Sequence, residues 1–149
     1  MSGGHLFVVG VGPGDPDLLT FKAARIIAAA DAVAYPTTES GAARARQIAA
    51  AHIAPGAREI GFLMPMRTER GPGQAAYDEA AERISAELSA GHRVALLCEG
   101  DPMFYGSAMY LFERLAAQFP TTVVPGITSL TACAAEAGPY THLRAHETG

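Results

Sequence analysis

Apolar residues fall into short runs, each closed by glycine, proline or an acid. Between these runs lie longer stretches with apolar positions at helical spacing. Leu6–Val11, LFVVGV, predicts a buried strand feeding a tight loop. Pro16 and Asp17 open an amphipathic stretch, with Leu18, Leu19, Ala23, Ile26 and Ile27 at helical spacing as far as Ala30 and an acid where the helix dipole favours one. Ala32–Tyr35 predicts a second strand stopped by Pro36, and Ser40 and Gly41 precede an Ala-rich helix reaching about Ala51. Glu59–Phe62 predicts a third strand. Leu63–Gly73, LMPMRTERGPG, is a polar loop of a length that goes with function in compact domains. Gln74–Ala90 follows as a helix ended by Gly91, and Arg93–Cys98 is the clearest strand of the chain. A loop from Glu99 to Tyr105 leads into a helix from Gly106 to Gln118. Thr121–Val124 is a last strand and Pro125-Gly126 a turn, after which Thr128 or Ser129 caps a helix to Ala137.

Strand and helix alternate five times. The pattern predicts an α/β domain with a mostly parallel five-stranded sheet flanked by helices. Ligands of such sheets bind beyond the carboxyl ends of the strands. Three loops leave strands there with glycine and proline chemistry, GVGPGDP, EGDPMFYG and PGITS, and are expected to converge on one face.

Composition narrows the function. The 149 residues are 49% hydrophobic and 17% charged, which supports a packed core and excludes disorder. A net charge of −4 with no basic stripe argues against nucleic acid. Any positive field for an anionic substrate must then come from a few placed arginines. Cys98 and Cys133 lack CxxC spacing, which excludes a disulfide scaffold and fits a reducing cytoplasm. No apolar run approaches the roughly 20 residues of a membrane span. His142 and His146 lack a third ligand, so no metal site is expected, and His5, His52 and His92 read as surface residues. Cys98 reads as inert core.

The first loop matches a dinucleotide fingerprint only at Gly10 and Gly12. Its third glycine position is Asp15, which repels a pyrophosphate, and no Walker A lysine follows. Gly12, Pro13 and Gly14 either let a ligand approach the backbone or simply make a strand-to-helix turn with Asp15 as its cap. In the second loop, Glu99 and Asp101 suit a cationic or hydroxyl-rich ligand, although Asp101 is equally readable as a helix N-cap. Met103, Phe104 and Tyr105 supply apolar walls or core. In the third loop, one of Thr128 and Ser129 caps the helix and the other is left free.

Together VGVGPGDPDLLTFKA, CEGDPMFYGSAMYLFERL and VVPGITSLTA resemble, in order and spacing, the motifs of the tetrapyrrole (corrin/porphyrin) methyltransferase superfamily, from about His5 to Gly138. The second motif is most similar to the precorrin-2 C20-methyltransferase branch. Uroporphyrinogen-III, precorrin-4 and cobalt-precorrin-2 enzymes are close alternatives, and an unrelated nucleotide-binding α/β domain is the reading from another class. The resemblance implies S-adenosyl-L-methionine as cofactor, contacted by Pro13, Gly100, Asp101, Tyr105, Thr128 and Ser129. It implies methyl transfer to a meso carbon of a reduced tetrapyrrole in cobalamin biosynthesis, with Gly12, Gly14 and Asp15 facing that substrate. No residue is assigned as the catalytic base. The substrate's carboxylates are matched by Arg44, Arg46, Arg67 and Arg70, which otherwise read as solvated surface residues. A cytoplasmic homodimer, with neither nucleic acid nor membrane as partner, is the expected setting. Residues 1–138 read as the family's N-terminal domain, and 139–149 as a non-native tail where the C-terminal domain is expected.

Overall fold

Alternating side chains along the apolar runs point into two separate cores. The computed structural model describes residues 3–63, 72–103 and 108–137. Strands β1 (His5–Gly10), β2 (Ala32–Thr37), β3 (Arg58–Leu63), β4 (Arg93–Cys98) and β5 (Thr121–Val124) form one sheet in the order β3-β2-β4-β1-β5. Every ladder between them is parallel, as the alternation of elements requires. Leu6 and Val8 of β1, Val94, Leu96 and Cys98 of β4, and Ile60 and Phe62 of β3 share one core. Helices α3 (Pro72–Ser89) and α4 (Ala108–Ala116) cover it with Ile84, Leu88, Leu111 and Leu115. Val9, Val33, Ala95 and Leu97 face the other way, under α1 (Phe21–Ala29) and α2 (Arg44–Ala49), which contribute Ala23, Ile27, Ala45 and Ile48. Strands sandwiched on both faces read as continuous apolar runs, which is why RVALLC is the clearest strand signal in the chain.

Several boundaries differ from the sequence expectation, each for a local reason. The helix expected from Leu18 begins at Phe21: Pro16–Leu18 is a separate 3-10 turn, and Thr20 caps α1 by accepting the Ala23 amide at 3.1 Å. Pro36 does not stop β2. The ladder to β4 covers only Ala32–Ala34, whereas the ladder to β3 runs on to Thr37, so Pro36 lies where β2 needs no donor toward β4. The Ala-rich helix is shorter than expected and closes through a 3-10 turn, Ala50–His52. Helix α5 (Ser129–Glu136) follows β5, and Thr128 is its cap. His5 and His92 are not bystanders. His5 meets the Thr122 hydroxyl at 2.7 Å and stacks on Phe7, and His92 meets Glu87 at 2.8 Å.

Candidate functional site

In the strand order, β1 lies between β4 and β5, so the loops leaving these three strands are neighbours at the carboxyl edge. They are also in backbone contact. The Val11 amide donates to the Cys98 carbonyl at 2.9 Å. Gly12 and Gly100 exchange two hydrogen bonds, at 3.2 and 2.8 Å, as an antiparallel bridge beyond the end of the parallel ladder. Gly12 and Gly100 adopt φ of +86° and +66°, where L side chains are strained.

The third loop is packed as closely. A Cβ on Gly126 would stand 2.2 Å from the Gly100 carbonyl oxygen and 3.0 Å from the Gly10 Cα, and one on Gly10 would stand 2.5 Å from that same oxygen. Gly10 and Gly126 thus meet the Gly100 carbonyl with no space for a methyl group on either, whereas Gly100 is required by its positive φ. The three loops are legible in the sequence, but this contact is not. Its only signal was a glycine at the end of each strand run.

Asp101 ties the loops together. Its Oδ1 accepts the Gly126 amide and its Oδ2 the Met103 amide, both at 2.9 Å. The second bond closes a two-residue turn within the β4 loop rather than the helix N-cap that the sequence also allowed, α4 being described from Ala108; the first is a clasp between the β4 and β5 loops that local sequence does not show. Asp15 caps the 3-10 turn, accepting the Asp17 amide at 2.9 Å, and it stands exposed. Pro13 and Gly14 are half-buried and Gly12 is buried. Thr128 accepts the Thr131 amide at 3.2 Å, and exposed Ser129 is the free hydroxyl of the pair. Gly12, Pro13, Gly14, Gly100, Asp101, Thr128 and Ser129 therefore gather on the edge formed by the β1, β4 and β5 loops. Tyr105, Arg67 and Arg70 lie outside the described residues, as do Phe104 and the tail 139–149.

The two nearer arginines divide. Arg46 is held by both oxygens of Glu59, at 2.6 and 3.3 Å, and Tyr35 donates to the same carboxylate at 3.1 Å. The Arg46 guanidinium keeps the Glu59 carboxyl below its ordinary range. Arg44 instead reaches the site, facing Glu99 at 3.5 Å. Cys98, at the end of β4, is buried, and desolvation followed by the Asp101 charge pushes its thiol up to about 12, which makes it a poor nucleophile. Among the described residues no group of His, Cys, Asp and Glu is placed to hold a metal ion, and no helix is long and apolar enough to cross a membrane. Phe21, Met103 and Leu130 are exposed apolar residues, each on an element that starts at this same edge.

Chemically, the described residues of the edge offer backbone polar groups, the Ser129 hydroxyl and exposed carboxylates of Asp15 and Glu99, with Arg44 the one arginine among them. Among the described residues the first loop places the Asp15 carboxylate where a pyrophosphate-binding loop carries a glycine. A ligand with positive charge and hydroxyl groups fits the donor set; a dinucleotide does not.

A parallel β3-β2-β4-β1-β5 sheet covered by helices on both faces, with three loops joined at its carboxyl edge, defines the class as an α/β domain. The chain belongs to the Tetrapyrrole (Corrin/Porphyrin) Methylases, whose family model matches residues 5–144. It is 47% identical over 140 residues to the cobalamin biosynthesis protein CobIJ of Mycobacterium bovis, covering 89% of this chain and 28% of that protein. It is 41% identical over 143 residues to a precorrin-2 C(20)-methyltransferase of Sinorhizobium sp, covering 91% of this chain and 58% of the relative. The uroporphyrin-III C-methyl transferase of Thermus thermophilus, in a structure complexed with S-adenyl homocysteine, superposes with a TM-score of 0.62 at 29% identity, over 87% of this chain and 48% of that one. The chain therefore spans well under two thirds of the length of each of these proteins.

Proposed function

We propose that this chain forms the S-adenosyl-L-methionine-facing part of a methyltransferase that acts on a reduced tetrapyrrole in cobalamin biosynthesis, with C20 of precorrin-2 as the methylated position. The observation that carries the reading is the three-loop edge, where close glycine packing exposes backbone beside carboxylates and hydroxyls rather than beside phosphate-binding groups. The donor carries a cationic sulfonium and an ammonium group and no phosphate, which this edge suits. Similarity to a precorrin-2 C(20)-methyltransferase and to CobIJ supports the position on the ring.

Bound there, S-adenosyl-L-methionine supplies an electrophilic methyl group. The chain's own contribution is placement: the rigid loop junction holds the cofactor's surroundings fixed, so that the acceptor carbon is presented in line. Pro13, Gly100, Asp101, Thr128 and Ser129 line the cofactor side, and Gly12, Gly14 and Asp15 the tetrapyrrole side.

Calorimetric titration with S-adenosylhomocysteine, ATP and NAD tests the ligand class. Binding of S-adenosylhomocysteine tighter than either nucleotide is expected; tighter binding of ATP or NAD overturns the reading. Methyl transfer compared among precorrin-2, cobalt-precorrin-4 and uroporphyrinogen III tests the position, and preference for either of the latter two overturns the C20 assignment.

A further inference from the structure

Arg44 is the first residue of α2, a place where a cation opposes the helix dipole and where no side chain caps the helix. Helix stability therefore does not explain it. Its guanidinium extends over the first loop, with Nη2 3.4 Å from the position of a Cβ on Gly14. Its Nε is 3.5 Å from Glu99 Oε1, and the two side chains are 63% and 48% exposed. No hydrogen bond from Arg44 occurs among the described residues. Three other arginines are held more closely: Arg46 by both oxygens of Glu59, Arg58 by both oxygens of Glu87, and Arg114 by Asp78. Arg44 has one long, solvent-exposed ion pair, of the kind that contributes least to a fold.

We propose that Arg44 is a substrate-carboxylate receptor of the site, resting on Glu99 until a carboxylate of the tetrapyrrole takes its place. The inference rests on the proposed function, because it needs a polycarboxylate ligand over the first loop. The planar guanidinium fork is suited to this exchange. It presents paired donors to a carboxylate, whereas Glu99 engages it at one atom only. Nη2 lies at van der Waals distance above Gly14, whose φ of +149° suits glycine, so the guanidinium stands directly over the first loop. The neighbouring Glu99 carboxylate repels an anion from the edge beyond Arg44, so Arg44 fixes where the acidic periphery of the ring docks.

The test uses the whole chain and two probes: fluorescence titration with uroporphyrin, a carboxylate-rich porphyrin, and calorimetry with S-adenosylhomocysteine. Arg44→Ala is expected to weaken uroporphyrin about tenfold, as loss of a charged hydrogen-bonding partner implies, and to leave S-adenosylhomocysteine affinity unchanged. Arg44→Lys keeps the charge but not the fork and is expected to fall between. Glu99→Gln removes the competing carboxylate and is expected to tighten uroporphyrin. Unchanged uroporphyrin affinity in Arg44→Ala, or an equal loss for both probes, overturns the assignment. If the unaltered chain binds S-adenosylhomocysteine but not uroporphyrin, the inference fails while the methyl-donor reading stands. If it binds neither, both fail.

Discussion

Substituting Gly126 by alanine tests the loop junction most directly. Gly126 is not among the glycines with positive φ, so its backbone accepts an alanine, and the effect is one of contact alone. The added methyl group would lie 2.2 Å from the Gly100 carbonyl oxygen and 2.9 Å from the Gly10 carbonyl carbon. A carbon and a carbonyl oxygen normally approach to about 3.3–3.6 Å, so the β4 and β5 loops must part by about 1 Å. That displacement stretches the 2.9 Å bond from the Gly126 amide to Asp101 beyond hydrogen-bonding range. Overpacking costs about 1–3 kcal/mol, and a lost hydrogen bond to a charged group about 1.5–3 kcal/mol. The sum, about 2.5–6 kcal/mol, is a large share of a domain's usual stability of about 5–15 kcal/mol. At about 2–4 °C per kcal/mol for a chain of this size, the melting temperature should drop by about 5–24 °C. Gly56→Ala is the matched control: nothing lies within 4 Å of its added Cβ. Restricting the unfolded chain should make that variant neutral, or more stable by about 0.4–1 kcal/mol. Thermal unfolding followed by circular dichroism measures both. A Gly126→Ala variant melting within about 2 °C of the unaltered chain, or above it, would refute the close-packed junction.

Other consequences follow from single side chains. Asp101→Asn keeps one acceptor but turns an amide toward a second backbone N–H; it should cost about 1.5–3 kcal/mol and weaken S-adenosylhomocysteine as well. Loss of stability with unaltered affinity, measured by urea unfolding and calorimetry together, would confine Asp101 to the loop clasp. The Glu87 carboxyl is lowered from 4.5 to about 2, chiefly by its hydrogen bonds from Arg58 and then by His92. A depressed carboxyl contributes stability that is full above its unfolded value and is lost as pH falls toward its folded one. The gap between the chain and Glu87→Gln should therefore be present at pH 6 and shrink between about pH 4.5 and 2; a gap independent of pH would contradict the pairing. Cys133 is exposed and Cys98 buried with its thiol at about 12. Iodoacetamide at pH 8 should then add once to the folded chain and twice in denaturant, as counted by mass spectrometry, and two rapid additions to the folded chain would contradict the burial.

Element type and buried face were legible in the sequence because both depend on local periodicity. A strand buried on both faces is a short apolar run, as in RVALLC, and a helix over a sheet repeats its apolar residues every three to four positions, as Ala23 and Ile27 do. The motifs carried the family in the same way, since they are strings of adjacent residues. Strand order was not legible. It depends on which runs pair, and only the register sets Gly10 beside Cys98 and brings Gly100 and Gly126 against it. Pro36, which reads locally as a stop, sits within β2 because the neighbouring ladder ends before it. Asp101 reads as a cap from its own surroundings; its second oxygen meets an amide 25 residues away, which only folding brings near. Arg44 and Arg46 have the same local chemistry, but two residues apart on a helix they face different directions. Tertiary packing turned Arg46 to Glu59 and Arg44 to the cleft, because the positions of β3 and of the end of β4 are properties of the assembled sheet and not of either residue's neighbours in sequence.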